Sequence, residues 1–144
     1  MLDNYRDLID ELLGGPSEVR AMADTAGGTL PAAALGVVAE MRKRDELVTS
    51  RLQTMMRDPD PHLPVLADHP AREVGDTAEV LAAMDQARGD LVSLLMNLTL
   101  KDWERTATHD VDGEITLAEE VERHVEFDED RLARLRVVVS EGTG

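Results

Sequence analysis

Cysteine is absent from the 144 residues. Disulfides, thiolate metal centres and a cysteine nucleophile are therefore excluded together. Aromatic residues are nearly absent as well: one Trp, one Tyr and one Phe are too few for the stacking platforms on which proteins lay single-stranded bases. Positive charge is scarce, with 15 Lys and Arg against 30 Asp and Glu and a net charge of −15. Such a surface repels phosphate backbones and anionic lipid, so neither nucleic acid nor a membrane is expected as a partner. Solubility is the plain reading of the acidity. No apolar stretch approaches the ~18 residues that a membrane-spanning helix needs. The opening MLDNYRDLIDELL is polar and acidic, so no secretory leader is expected and a cytoplasmic location is. The length argues for a single domain over 1–144 that can bury its own core.

What is present is helical periodicity over nearly the whole chain, with no strand alternation and no internal repeat. Tyr5, Leu8, Ile9, Leu12 and Leu13 share one stripe. Gly14 and Gly15 are expected to end that helix, and Pro16 to restart a short one through about Asp24. After a loop over 25–31, with Thr29 as candidate cap, a long helix from near Pro31 to about Met56 carries Val38, Met41, Asp45, Val48, Leu52 and Met55 on its inner stripe. Residues 57–76 hold four prolines and two histidines, His62 and His69, which reads as a connector or lid with surface histidines. Asp76 or Thr77 is expected to cap a third helix, ending around Leu100, with Val80, Leu81, Met84, Leu91, Leu94, Leu95 and Leu98 inward. A second connector over 101–115 precedes a capping box, Thr116 with Glu119, that opens a last helix to about Val139. Met22, Met41, Met55, Met56, Met84 and Met96 read as core packing. The expected architecture is an all-α four-helix bundle with a short extra N-terminal helix and two longer connectors.

Four stretches in order carry a resemblance: VVAEMRKRDELVTSRL, RDPDPHLPVLAD, DWERTATHDVDGEITLAEEVERH and FDEDRLARL. Together they make the chain resemble the DinB/YfiT-like family of four-helix-bundle metalloenzymes over nearly its whole length. The resemblance implies a divalent metal held by three histidines. One lies on the second helix in a pattern like H-L-x-D, and two on the last in a pattern like H-D-x-x-H-L. Laid on this chain, the three ligand positions hold Glu40, Phe127 and Arg131, while Asp45, Arg51, Asp128 and Leu132 fit the surroundings. Phenylalanine cannot ligate, and arginine stays protonated and repels a cation. One carboxylate beside a guanidinium is no divalent metal site, so no cofactor is expected.

Phe127 and Arg131 are four apart and share a helical face. If the second helix points Glu40 at the same spot, Glu40 and Arg131 pair, with Phe127 filling the volume. Loss of either partner of a buried pair of that kind costs about 3–5 kcal/mol. The alternative is a displaced site in which Glu40, His124 and Asp128 offer one imidazole and two carboxylates to zinc, nickel or iron. The plainer reading has His124 bonding Asp128 or a neighbouring acid inside the bundle. A ligand pocket would draw on His124, Asp128, Asp45, Trp103 and His109. Taken singly, His109 reads as a solvated loop residue, Trp103 as an anchor for its connector, and THDVDGE as a turn rather than a calcium loop. Arg42, Lys43 and Arg44 read as a solvated face paired with Asp45 and Glu46. No nucleophile, paired general base or phosphate loop is recognisable, so the expected function is non-catalytic binding or assembly. The alternatives are a metal- or thiol-dependent transferase or isomerase working through the displaced site, as the resemblance implies, and a metal-free small-ligand carrier. The resemblance also implies a homodimer.

Overall fold

The computed structural model describes residues 2–67 and 75–142. In chain order the elements are α1 (Leu2–Thr25), α2 (Ala32–Arg57), β1 (His62–Leu63), α3 (Thr77–Met96), α4 (Leu100–Trp103), β2 (Thr106–His109), β3 (Gly113–Thr116) and α5 (Leu117–Gly142). The four long helices form the bundle. Each of α1 and α2 packs chiefly on α3 and α5, so the order around the bundle is α1–α3–α2–α5 and the first two helices face each other across the diagonal.

Capping chemistry sets several ends. The Asp76 side chain accepts from Glu79 N at 2.9 Å and starts α3. Thr116 and Glu119 cap reciprocally at the head of α5, with Glu119 N to Thr116 Oγ1 at 3.2 Å and Thr116 N to Glu119 Oε1 at 3.1 Å. Thr29 does not cap α2: the N-cap is Pro31, with no side-chain bond. α3 stops at Met96, earlier than periodicity suggests, because Thr99 and Asp102 form their own capping box and begin the single turn of α4. The Thr99 backbone N–H holds the Asp102 carboxyl below its ordinary range.

The connectors are not structureless. β1 pairs in parallel with β2 (His62 with Thr108, Leu63 with His109), and β2 pairs antiparallel with β3, making a three-stranded sheet in the order β1-β2-β3. Strands of two to four residues are too short to display a period of two, which is why the sequence shows none. THDVDGE is the β2–β3 hairpin, turned by Gly113 at φ +71°. The sheet ties the first connector to the head of α5 and so roofs one end of the bundle.

The expected break at Gly14-Gly15 does not occur. α1 runs through both glycines and Pro16 without interruption, so the separate short helix is its second half. Pro16 brings no N–H to the carbonyl of Leu12, four residues earlier. That carbonyl accepts instead from Arg88 Nη1 at 2.6 Å. Gly15 is buried, and a Cβ placed on it would lie 2.8 Å from both Arg88 Nη1 and Asp128 Oδ2. The glycine is there because charged groups of α3 and α5 press against the α1 backbone.

The apolar core accordingly falls into two halves. Toward the sheet lie Leu12, Val48, Leu52, Leu91, Ile115 and Leu117; toward the other end lie Val19, Val38, Met41, Met84, Leu132 and Leu135. Along each helix the residue between the halves is not apolar: Gly15, Asp45, Arg88 and Asp128. Two glycine substitutions separate the effects. Gly15→Ala is expected to lose about 1–3 kcal/mol through the forced contact with Arg88 and Asp128. Gly14→Ala, where a Cβ meets nothing within 4 Å, is expected to gain about 0.5–1 kcal/mol from helix propensity. Calorimetric melting should move the two variants in opposite directions.

Candidate functional site

Arg88 is 2% exposed at the middle of the bundle. Its Nε donates to Asp45 Oδ2 at 2.9 Å, its Nη2 and Nη1 grip Asp128 at 2.6 and 3.2 Å, and its Nη1 also reaches Leu12 O. Burial by itself pulls the Arg88 pKa down, but the charge of Asp45 and the hydrogen bonds and charge of Asp128 outweigh it, and the net movement is upward. The guanidinium therefore stays a cation. All four long helices contribute to this cluster.

His124 extends it. The other oxygen of Asp45 lies 2.7 Å from His124 Nε2. A carboxylate only accepts, so the imidazole carries a hydrogen on Nε2 and donates it. His124 Nδ1 is buried and has no hydrogen-bond partner among the described residues. One turn earlier on α5, Glu120 repeats the situation: Oε1 accepts from Arg51 Nε at 2.8 Å, while Oε2 is buried without a partner. Arg51 Nη1 also donates to Pro64 O at 2.6 Å and pins the first connector. Beside them a half-open pocket of about 160 Å³ is lined by Arg44, Val48 and Arg51 of α2, Val65 and Leu66 of the connector, His109 of β2, and Glu120, Arg123 and His124 of α5; Arg51 is engaged by Glu120 and Arg123 by Asp112.

His109 is not solvated. It is buried because the hairpin folds onto the head of α5. Its Nδ1 accepts from the N–H groups of Val111 and Asp112 at 3.2 and 3.4 Å, and its Nε2 lies 3.4 Å from Arg123 Nη1. Trp103 stacks on Tyr5 with ring centroids 4.6 Å apart, on the α1–α3 side of the bundle and outside this cavity. His62 is exposed and faces Asp110 across the sheet at 2.7 Å; His69 lies outside the described residues.

At the three positions that the resemblance singles out, Arg131 Nε donates to Glu40 Oε1 at 2.7 Å, and its guanidinium carbon sits 4.4 Å from the Phe127 ring centroid. Arg44 lies at 4.2 Å from the same centroid. The crevice between Glu40, Arg44, Leu47 and Phe127 has no room for a water molecule. The alternative triad is dispersed: Glu40 serves Arg131, His124 serves Asp45 and Asp128 serves Arg88. Among the described residues no group of three or more His, Asp and Glu is placed to hold a metal ion, so the residues present do not fit the three-ligand centre. In the basic cluster Arg42 pairs with Glu46, but Asp45 is fully buried and turns inward.

Sequence reading passed over Arg88 and Glu120, and noted Arg51 only as matching the surroundings of the resemblance. Arg88 carried a usable signal. It falls between Met84 and Leu91 at the four- and three-residue spacing of the inward stripe, where a charge demands buried partners.

No family model matches the chain, and no curated protein matches it. A solved structure does: YfiT from Bacillus subtilis, described as a probable metal-dependent hydrolase with an unusual four-helix bundle topology. It matches at a TM-score of 0.80 and 15% identity over 98% of this chain and 89% of that one. The chain has the DinB/YfiT-like four-helix-bundle fold.

The two ion clusters differ in depth, and so should their energetics. Arg88→Met leaves Asp45 and Asp128 buried together without their cation, and about 3–5 kcal/mol should be lost. Glu40→Ala leaves Arg131 with Asp130 at 2.5 Å and the Phe127 ring, at side chains 11–14% exposed. About 1–2 kcal/mol should be lost there, between the values for exposed and fully buried pairs. Urea titration of both variants checks the order; an equal loss would contradict it.

Proposed function

We propose that this chain is a metal-free, non-catalytic binding protein built on the bundle it shares with YfiT. The observation that carries the reading is Arg88. Two carboxylates of the interior, which in a metalloprotein would call for a divalent ion, are neutralised by a side chain that does not deprotonate. The character of Glu40, Phe127 and Arg131 supports the same conclusion. The metal-dependent hydrolysis suggested for YfiT is therefore not carried over, and neither is a transferase or isomerase activity through Glu40, His124 and Asp128. Binding in place of catalysis is supported by the pocket beside His124, which side chains of α2, the first connector, β2 and α5 line together.

Assembly as a homodimer belongs to this proposal. Met96, expected in the core, is 69% exposed, and Leu13 is 49% exposed. The two line one groove of about 290 Å³ with Ile9, Leu95 and Leu98. Apolar surface gathered in that way suits a second copy of the chain. Sedimentation should show a dimer that Met96→Glu dissociates; a monomeric parent protein removes this part of the proposal.

Elemental analysis of protein purified without chelator or affinity tag tests the main reading. Zinc, nickel and iron are expected well below one atom per chain, with no rise in melting temperature on adding them. A stoichiometric ion whose removal lowers the melting temperature would restore the displaced-site enzyme.

A further inference from the structure

Among the described residues six large hydrophobic side chains are exposed, and three of them, Leu13, Met96 and Leu100, belong to α1, the end of α3 and α4. Leu13 and Met96 line one groove of about 290 Å³, and Leu100 sits between Leu98 and Trp103, which line it too. Along α1 the groove is bordered by Tyr5, Ile9 and Leu13, one residue in every four. They form an apolar stripe on the outer side of a helix whose Leu12 is fully buried.

Two charged residues edge that stripe. Arg6 and Asp10 line the groove and are both exposed. They stand four apart on one helix, yet neither side chain has an ion-pair or hydrogen-bond partner among the described residues. Their order gives a reason: a base placed N-terminal to an acid is the weaker arrangement of an i,i+4 pair. Other exposed arginines do take acids, Arg20 with Asp85 and Arg136 with Glu18. A chain of net charge −15 repels its own copy, so contact between copies needs a local reversal of sign. Arg6 supplies that reversal at the edge of the groove, with an acid one turn away.

A twofold axis passing α1 at the level of residue 8, midway between the two charges, makes this edge its own complement. Arg6 then meets the partner subunit's Asp10, and Asp10 meets the partner subunit's Arg6, while Ile9 falls close to the axis. We propose that two copies of the chain join on this face with their α1 helices antiparallel, registered by reciprocal Arg6–Asp10 pairs across the apolar groove. The inference rests on the homodimer reading and specifies its contact and register. The α1–α3 side lies opposite the α2–α5 side that carries the pocket beside His124, so the paired molecule leaves both of those pockets uncovered.

Sedimentation of the full chain carrying Arg6→Asp, Asp10→Arg or both substitutions is the test. Each single variant sets like charges against each other at both contacts and should weaken the dimer roughly tenfold or more. The double variant exchanges the charges and keeps the pairing, so its dimer should recover. Mixing the two single variants is the most specific arm. One presents only acids at these positions and the other only bases, so the mixture should associate more tightly than either protein alone, which no general loss of folding produces. A dimer that Met96→Glu dissociates but that ignores the charge variants and their mixture overturns this inference and leaves the homodimer reading standing. Weakening in both single variants with no recovery in the double variant or the mixture overturns the antiparallel register. A monomeric parent protein overturns both readings and leaves the groove to a different partner.

Discussion

A guanidinium placed at the centre of four helices has to be surrounded by acceptors, because a bare charge in that interior would cost several kcal/mol. Arg88 imposes this requirement, and each neighbouring helix meets it in its own way. α2 and α5 supply carboxylates, Asp45 and Asp128. α1 supplies a carbonyl, Leu12 O, which Pro16 leaves without its usual partner, and clears the approach with Gly15. The Gly-Gly-Pro run therefore acts as the surface on which α1 meets a buried cation. The two apolar halves of the core drive the helices together, and the charged layer between them fixes how they are aligned.

The same layer reaches outward to the candidate site. Asp45 divides its two oxygens between Arg88 and His124, so the ring that faces the cavity is oriented by the ion that holds the bundle. Arg51 couples in parallel, with one nitrogen on Glu120 and another on the carbonyl of Pro64. The wall made by the connector is thus tied to the acid beneath it. The two buried unpartnered atoms, His124 Nδ1 and Glu120 Oε2, belong to side chains whose other polar end is already fixed.

Much of the fold is legible in the sequence, for a reason that also explains what is not. The inner stripes of α2, α3 and α5 repeat every three or four residues over 20 or more positions, and burial follows that repeat closely, Asp45 included. The capping boxes at Thr116 and the cap at Asp76 are local chemistry and appear where the residues stand. Gly-Gly-Pro is local chemistry too, but here a contact from a residue more than 70 positions away overrides it. The site is harder to read. Four-residue spacing is enough to put Phe127 and Arg131 on one face, and the guanidinium does lie over the ring. The pocket depends instead on how the first connector and β2 settle against α2 and α5, a property of the finished packing that no spacing encodes. Of the partners expected for His124, Asp128 or a neighbouring acid, it is the neighbouring acid Asp45 that bonds the imidazole, because Arg88 takes both oxygens of Asp128.

The diagonal placement of α1 and α2 has a consequence for how the chain matures. A polypeptide leaves the ribosome from its N-terminus. In this bundle α1 and α2 are not each other's main packing partners, and α3, which follows both in the chain, bridges them. Arg88 arrives with α3 and finds Asp45 and Leu12 O, but half of its counter-charge, Asp128, lies 40 residues further on. α1, α2 and α3 by themselves would leave that cation under-neutralised, so the interior is electrostatically complete only once α5 is in place.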